Sequence, residues 1–169
     1  LVQLSRASSP IVLADFEHEA PLIPCLDFDN IDAGRRAAEH LMDLGHRNIA
    51  FIVRPEYSRS PAMRDRLAGA REFLKHIGLS LTVCVASSNA QMHALSGLLD
   101  SSERPTGIIS CQPLLADFLI NMAANRGISV PRDLSVMAFG ESRWPRMVPI
   151  SLVALDEEGR KVIFRDTLQ

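Results

Sequence analysis

Short apolar runs alternate with stretches of helical periodicity along most of the chain, and turn residues separate them. Leu1-Val2-Gln3-Leu4 and Ile23-Pro24-Cys25-Leu26-Asp27-Phe28 read as strands. Asp29 and Asn30 follow the second, and their side chains can accept from the free N–H groups of a helix start. The next stretch puts Gly34, Ala37, Ala38, Leu41 and Leu44 on one stripe and Arg35, Arg36, Glu39, His40 and Asp43 on the other. That is an amphipathic helix, and Gly45 stands where a left-handed residue would end it.

The pattern then repeats. A strand over Asn48 to Val53 is followed by a loop from Arg54 to Pro61 and a helix with Met63, Leu67, Ala70, Leu74 and Ile77 inward, stopped by Gly78. Leu79 to Val85 is a strand, Asn89 to Leu99 a short helix, and Thr106 to Cys111 a strand. Leu114 to Asn125 is a helix with Leu115, Phe118, Leu119 and Met122 inward, closed by Gly127. Strands over Leu134 to Phe139 and Leu152 to Leu155 come next, and Glu157 to Thr167 is expected to be helical. Strands and helices in alternation with short connections specify an α/β fold: a parallel sheet with helices on both faces and right-handed crossovers. Ligands of such sheets sit beyond the carboxyl ends of the strands. The residues placed there are Asp29, Arg54 to Pro61, Ser87, Ser88, Gln112, Pro113, Gly140 and Glu141.

Composition narrows the function. The 47% hydrophobic content of 169 residues suffices for one packed core and argues against disorder. A net charge of −2 gives no basic field for neutralising phosphates, which argues against direct DNA binding by this segment. Cys25, Cys84 and Cys111 are an odd count without metal-ligand spacing and read as small buried hydrophobes, so no metal, disulfide or cofactor is expected. The longest apolar run, Ile49 to Val53, is five residues, far short of a membrane span. No leader is visible, which makes the cytoplasm the expected compartment. The chain opens at Leu1 inside a strand-like run, as a piece of a longer protein would.

Catalytic motifs do not emerge. Neither GxGxxG, GxxxxGK[ST] nor GxSxG occurs. His40, His76 and His93 lie on helices among polar residues, and His46 after a helix stop would satisfy local carbonyls. None has a positioned partner, as a base requires. Arg64, Asp65 and Arg66 open the second long helix. Spacing alone favours a solvated first turn and leaves open a cleft-facing arginine that forks onto a ligand hydroxyl or carboxylate.

Three groups of segments carry a resemblance. Phe28-Asp29-Asn30 with Gly34-Arg35-Arg36-Ala37-Ala38-Glu39-His40-Leu41 and Gly45-His46-Arg47-Asn48-Ile49-Ala50-Phe51-Ile52 is the first. Arg64-Asp65-Arg66-Leu67-Ala68-Gly69 is the second. Pro105-Thr106-Gly107-Ile108-Ile109 and Gly127 to Phe139, which includes Val130-Pro131-Arg132-Asp133-Leu134-Ser135-Val136, form the third. In this order and spacing, from about Ile23 to Gly159, the chain resembles the LacI/GalR family of bacterial transcription regulators.

The resemblance implies a periplasmic-binding-protein-like type I domain whose two lobes close over a sugar or related metabolite and so reorient a helix-turn-helix on operator DNA. Residues 28–155 would be the C-terminal lobe, 1–27 the end of the N-terminal lobe and 156–169 the return toward it, with no helix-turn-helix in this chain. A homodimer is the expected assembly. The ligand-binding residues it implies are Phe28, Asp29, Arg66, Gln112, Gly140 and Glu141. Gln112 and Pro113 stand where the family usually has Asn-Asp, and Gly140 and Glu141 where it has Asp-Asp. No stacking aromatic lies near Ala86 to Ser88. Fixed carboxylates and an aromatic face normally hold sugar hydroxyls, so these departures point away from a simple sugar, to a different ligand or to none. Two other readings share parts of this pattern: a solute-binding protein of an uptake system, and an α/β enzyme, for which no nucleophile–base pair is found.

Overall fold

A computed structural model describes residues 13–14, 25–26, 28–86, 91–140, 151–155 and 162–165, with side chains described at 28–86 and 93–140. Eight strands and five helices follow in the order β1 (Leu13–Ala14), β2 (Cys25–Leu26), α1 (Asn30–Asp43), β3 (Ile49–Val53), α2 (Pro55–Ser58), α3 (Pro61–His76), β4 (Leu81–Val85), α4 (Gln91–Asp100), β5 (Gly107–Ser110), α5 (Pro113–Ala124), β6 (Ser135–Phe139), β7 (Ser151–Leu155) and β8 (Val162–Arg165). The main sheet has the order β4-β3-β5-β6-β7-β8, parallel throughout except for β8, which runs antiparallel to β7. β1 and β2 pair in parallel as a separate two-stranded sheet. The α/β class with a parallel sheet is therefore as expected.

Local chemistry explains the helix limits. Asp29 Oδ1 accepts from the Asp32 backbone N–H at 2.8 Å and caps α1. At the other end the Gly45 amide bonds Met42 O and the His46 amide bonds Leu41 O, closing the helix on a left-handed residue (φ +96°). The same double closure ends α3 at Gly78 and follows α5 at Gly127.

Strand order fixes the layers. The chain moves from β3 to β4 in one direction, then crosses back over β3 to reach β5 and continues to β6. With right-handed crossovers this puts α3 on one face and α4 and α5 on the other. The contacts agree: α1 packs on α3, and α4 on α5. β3 and β5 are buried throughout, which is why they read as unbroken apolar runs. β4, at the sheet edge, is only partly covered.

Several sequence expectations fail. Glu157 to Thr167 is not a helix in its described part: Val162–Arg165 is strand β8, where pairing with β7 overrides weak helical periodicity. The loop after β3 contains the short helix α2, begun by Pro55 at its first position. Leu44 and Ile77, placed on buried stripes, are 59% and 40% exposed, because each is the last residue before its helix closes. The strand expected over Ile23 to Phe28 is described only at Cys25–Leu26, and Phe28 lies outside it. The strand expected at Leu1 to Leu4 lies outside the described residues.

Candidate functional site at the carboxyl ends of the strands

Register aligns the strand ends. Ile52 pairs with Ser110 and Ser110 with Ala138, so two residues on, Arg54, Gln112 and Gly140 stand level across β3, β5 and β6. The chain reverses its direction of winding at β3, so the crevice between β3 and β5 is where an open α/β sheet receives a ligand.

Arg66 reaches this rim from α3. Its Nε donates to Asn30 Oδ1 at 2.8 Å, and its guanidinium carbon lies 4.9 Å from the centroid of the Phe139 ring. Phe139, the last residue of β6, is buried, and its ring lies 6.1 Å from that of Phe51. A cation over an aromatic face contributes about 0.5–2 kcal/mol, more as water is excluded. Asn30 is 3% exposed, and its Nδ2 donates to Phe28 O at 3.2 Å. The half-buried Arg66 is thus fixed beside Gly140, not spread on a solvated first turn.

Asn30 also links Phe28 and Asp29 to this group. Phe28 is partly exposed, and the Asp29 side chain is engaged as the helix cap. Gly140 has a left-handed backbone (φ +94°) and faces Pro113, whose ring carbon would stand 3.8 Å from an added Cβ. Glu141, Ser87 and Ser88 lie outside the described residues. Of the six expected ligand residues, the structure therefore brings Phe28, Asp29, Arg66, Gln112 and Gly140 to one end of the sheet.

On the α5 side of the rim lies a cavity of about 390 Å³ lined by Arg54, Gln112, Leu114, Leu115, Asp117, Phe118 and Asn121. Arg54 forms an ion pair with Glu56. Among the described residues, Arg54 Nε and Gln112 Nε2 are the only buried side-chain nitrogens or oxygens without a hydrogen-bond partner. Each such orphaned donor costs about 1–3 kcal/mol. Sequence reasoning had Gln112 in the set but did not single out Arg54, and it missed the positioning roles of Asn30 and Phe139. An arginine directly after the apolar run of β3 was the available signal.

Three other titratable groups are shifted chiefly by burial. His46 Nδ1 lies 3.0 Å from Thr106 Oγ1, a hydroxyl rather than the carbonyl expected, and burial lowers its pKa. Burial pushes the Cys84 thiol up. Burial does the same at Cys111, against a backbone hydrogen bond and the charge from Arg54 that pull it down. A thiol held protonated is a poor nucleophile. No group of His, Cys, Asp and Glu among the described residues is placed to hold a metal ion. Among them, too, no helix is long and apolar enough to cross a membrane.

Comparison with known proteins decides the family. The model of the periplasmic binding protein-like domain matches residues 38–160, well over half of the chain. This chain belongs to that family. The chain is 31% identical over 156 residues to the HTH-type transcriptional regulator DegA of Bacillus subtilis, covering 88% of this chain and 46% of that protein. It is 28% identical to catabolite control protein A of Priestia megaterium (90% and 47%) and 28% identical to the HTH-type transcriptional repressor CytR of Escherichia coli (82% and 41%). The chain therefore spans under half the length of these relatives. Among solved structures, a LacI transcriptional regulator from a Rhodococcus species superposes with a TM-score of 0.74 at 26% identity, covering 87% of this chain and 56% of that one. One from Bacillus cereus subsp. cytotoxis gives 0.72 at 28%, covering 87% and 54%. The LacI/GalR resemblance read from the sequence is borne out, and these relatives are regulators rather than enzymes.

Proposed function

We propose that this chain is the effector-binding and dimerisation part of a LacI-type regulator, which takes a small metabolite at the strand-end rim and passes the event to operator DNA. The observation that carries this is Arg66, held by Asn30 and the Phe139 face at the mouth of the sheet. Phe28, Asp29, Gln112 and Gly140 would line the same mouth, joined by Glu141. In this reading residues 28–155 are one lobe, and 1–27 and 156–169 belong to the other. DNA contact falls to a helix-turn-helix elsewhere in the protein, the assembly is a homodimer, and the site is cytoplasmic and recognises without transforming. The effector need only bind one lobe arrangement better than the other, since that difference in affinity is all that can shift the equilibrium. A solute-binding protein would share fold and pocket, but the regulator relatives favour the first reading.

Titration calorimetry of the protein with a panel of small metabolites tests this. Arg66→Ala should weaken the bound metabolite by about tenfold or more, the equivalent of one charge-assisted contact, while far-UV circular dichroism stays unchanged. Equal affinity in the two proteins would remove Arg66 from the site and with it the reading.

A further inference from the structure

Independently of the effector reading, we propose that the free edge of β4 docks the β4 of a second copy, paired antiparallel about Val83. β4 stands at the end of the six-stranded sheet, with β3 on one side only. Its hydrogen-bonding phase follows from two bonds: the Ala86 amide donates to Val53 O, and the Cys111 amide to Ile52 O. Val53 stands beside Val85 and Ile52 beside Cys84. The alternation of a parallel ladder then turns the N–H and C=O of Thr82 and Cys84 toward β3. Those of Leu81, Val83 and Val85 point the other way, and among the described residues no backbone hydrogen bond uses them. Such a row of unpaired main-chain donors and acceptors is completed by another strand.

The row is symmetric about Val83, and that selects a second copy as the strand. A two-fold axis at Val83 sets this residue against its counterpart and Leu81 against Val85 of the second copy, and each such pair exchanges both main-chain bonds. Leu81, Val83 and Val85 share one face of the strand, so their side chains make one apolar row across the junction. Val85 is 50% exposed in the single chain, and the half-buried Leu81 of the second copy would cover it. On the other face Thr82 meets Cys84, both uncharged. The edge carries none of the usual safeguards against pairing: Leu81–Val85 holds no charge and no proline, and its register with β3 runs through all five residues without a bulge. No charged residue occurs from Ile77 to Met92, so the two-fold brings no like charges of this segment together. The opposite edge of the sheet is guarded, since Arg160 and Lys161 precede β8 in sequence and Arg165 ends it.

A contact of five residues on each strand is small, so the pairing is a weak one that shows at high protein concentration. Amide hydrogen exchange by NMR, run from dilute to concentrated protein beside sedimentation velocity, tests it. The Leu81 and Val83 amides should gain protection as self-association rises. Val85→Lys puts a charge into the apolar row at a position already exposed in the single chain. It should weaken self-association by about tenfold or more and abolish the protection. Val85→Thr, still β-branched and uncharged, should keep both, and urea unfolding checks that each variant folds. Leu81 and Val83 amides that exchange freely at every concentration would overturn the proposal. Protection already complete in dilute protein and unchanged in Val85→Lys would overturn it too, because another segment of the chain then covers the edge. A dimer that survives Val85→Lys with these amides unprotected uses a different face, which sinks the edge pairing and leaves the homodimer reading standing. Conversely, loss of the effector reading would not change the exchange of the β4 amides.

Discussion

Gly34 on α1 touches the main chain of Arg66 on α3: a methyl group built on Gly34 would stand 1.8 Å from the Arg66 carbonyl oxygen. The contact is reciprocal, since a methyl on Gly69 would stand 2.0 Å from the carbonyl oxygen of Ile31. Two helices that meet backbone to backbone cannot accept even one carbon at either glycine. Gly34→Ala should therefore force α1 and α3 apart and destabilise the protein by about 1–3 kcal/mol, the usual cost of overpacking, or more. Gly97 in α4 is the control, because nothing lies within 4 Å of its added methyl. Gly97→Ala should stabilise by about 0.5–1 kcal/mol. Urea unfolding of both variants checks this, and equal midpoints would contradict the interlocked crossing.

Asp29 should prove a cap before anything else. Its carboxylate accepts the Asp32 amide at 2.8 Å, so Asp29→Ala should cost about 1 kcal/mol and Asp29→Asn far less. Chemical denaturation of the pair distinguishes a lost cap from a lost charge, because a charge role would penalise both equally.

His46 predicts a pH dependence. Burial lowers its pKa, so the folded protein holds the neutral ring below the ordinary value of about 6.5 while the unfolded chain protonates there. The unfolded state then binds more protons, and stability falls as pH drops from about 6.5 toward the folded pKa, below which the loss levels off. The difference in unfolding free energy between wild type and His46→Gln should narrow over that interval. An imidazole titration by NMR with its midpoint above 6.5 would reverse the sign and refute the prediction.

Asn30 positions Arg66 without needing to touch a ligand itself. Asn30→Ala removes the acceptor for Arg66 Nε, and Asn30→Asp restores one. Metabolite affinity should fall by about threefold to tenfold in the first variant, the worth of one net hydrogen bond, and recover in the second. If both variants bind alike, the side chain does not set the arginine.

The α/β architecture was legible because β3, β5 and β6 are apolar runs bounded by turn residues, and because Gly45, Gly78 and Gly127 close their helices where the periodicity ends. What escaped was decided by distant partners. β8 exists because β7 offers a pairing edge, a fact that no local pattern in residues 157–167 encodes. Leu44 and Ile77 fit their stripes by angle but fall past the covered part of the helix. At the site, the resemblance supplied Arg66 and Gln112, while Arg54 carries no motif and gains meaning only from the register that levels it with Gln112. Phe139 looked like one more core residue, and the guanidinium stacked on its outer face changes that.

The reversal of winding at β3 has an evolutionary consequence. Arg66 and Asn30 come from the helical layer on one side of the sheet, whereas Gln112 and the wall of the adjoining cavity come from the layer on the other. On the proposed effector reading, substitutions along α5 would retune which guest is preferred without repacking the glycine-locked pair that aims the arginine. Drift in preference and retention of grip would thereby be uncoupled, and a lineage could trade one small molecule for another while its scaffold stays still.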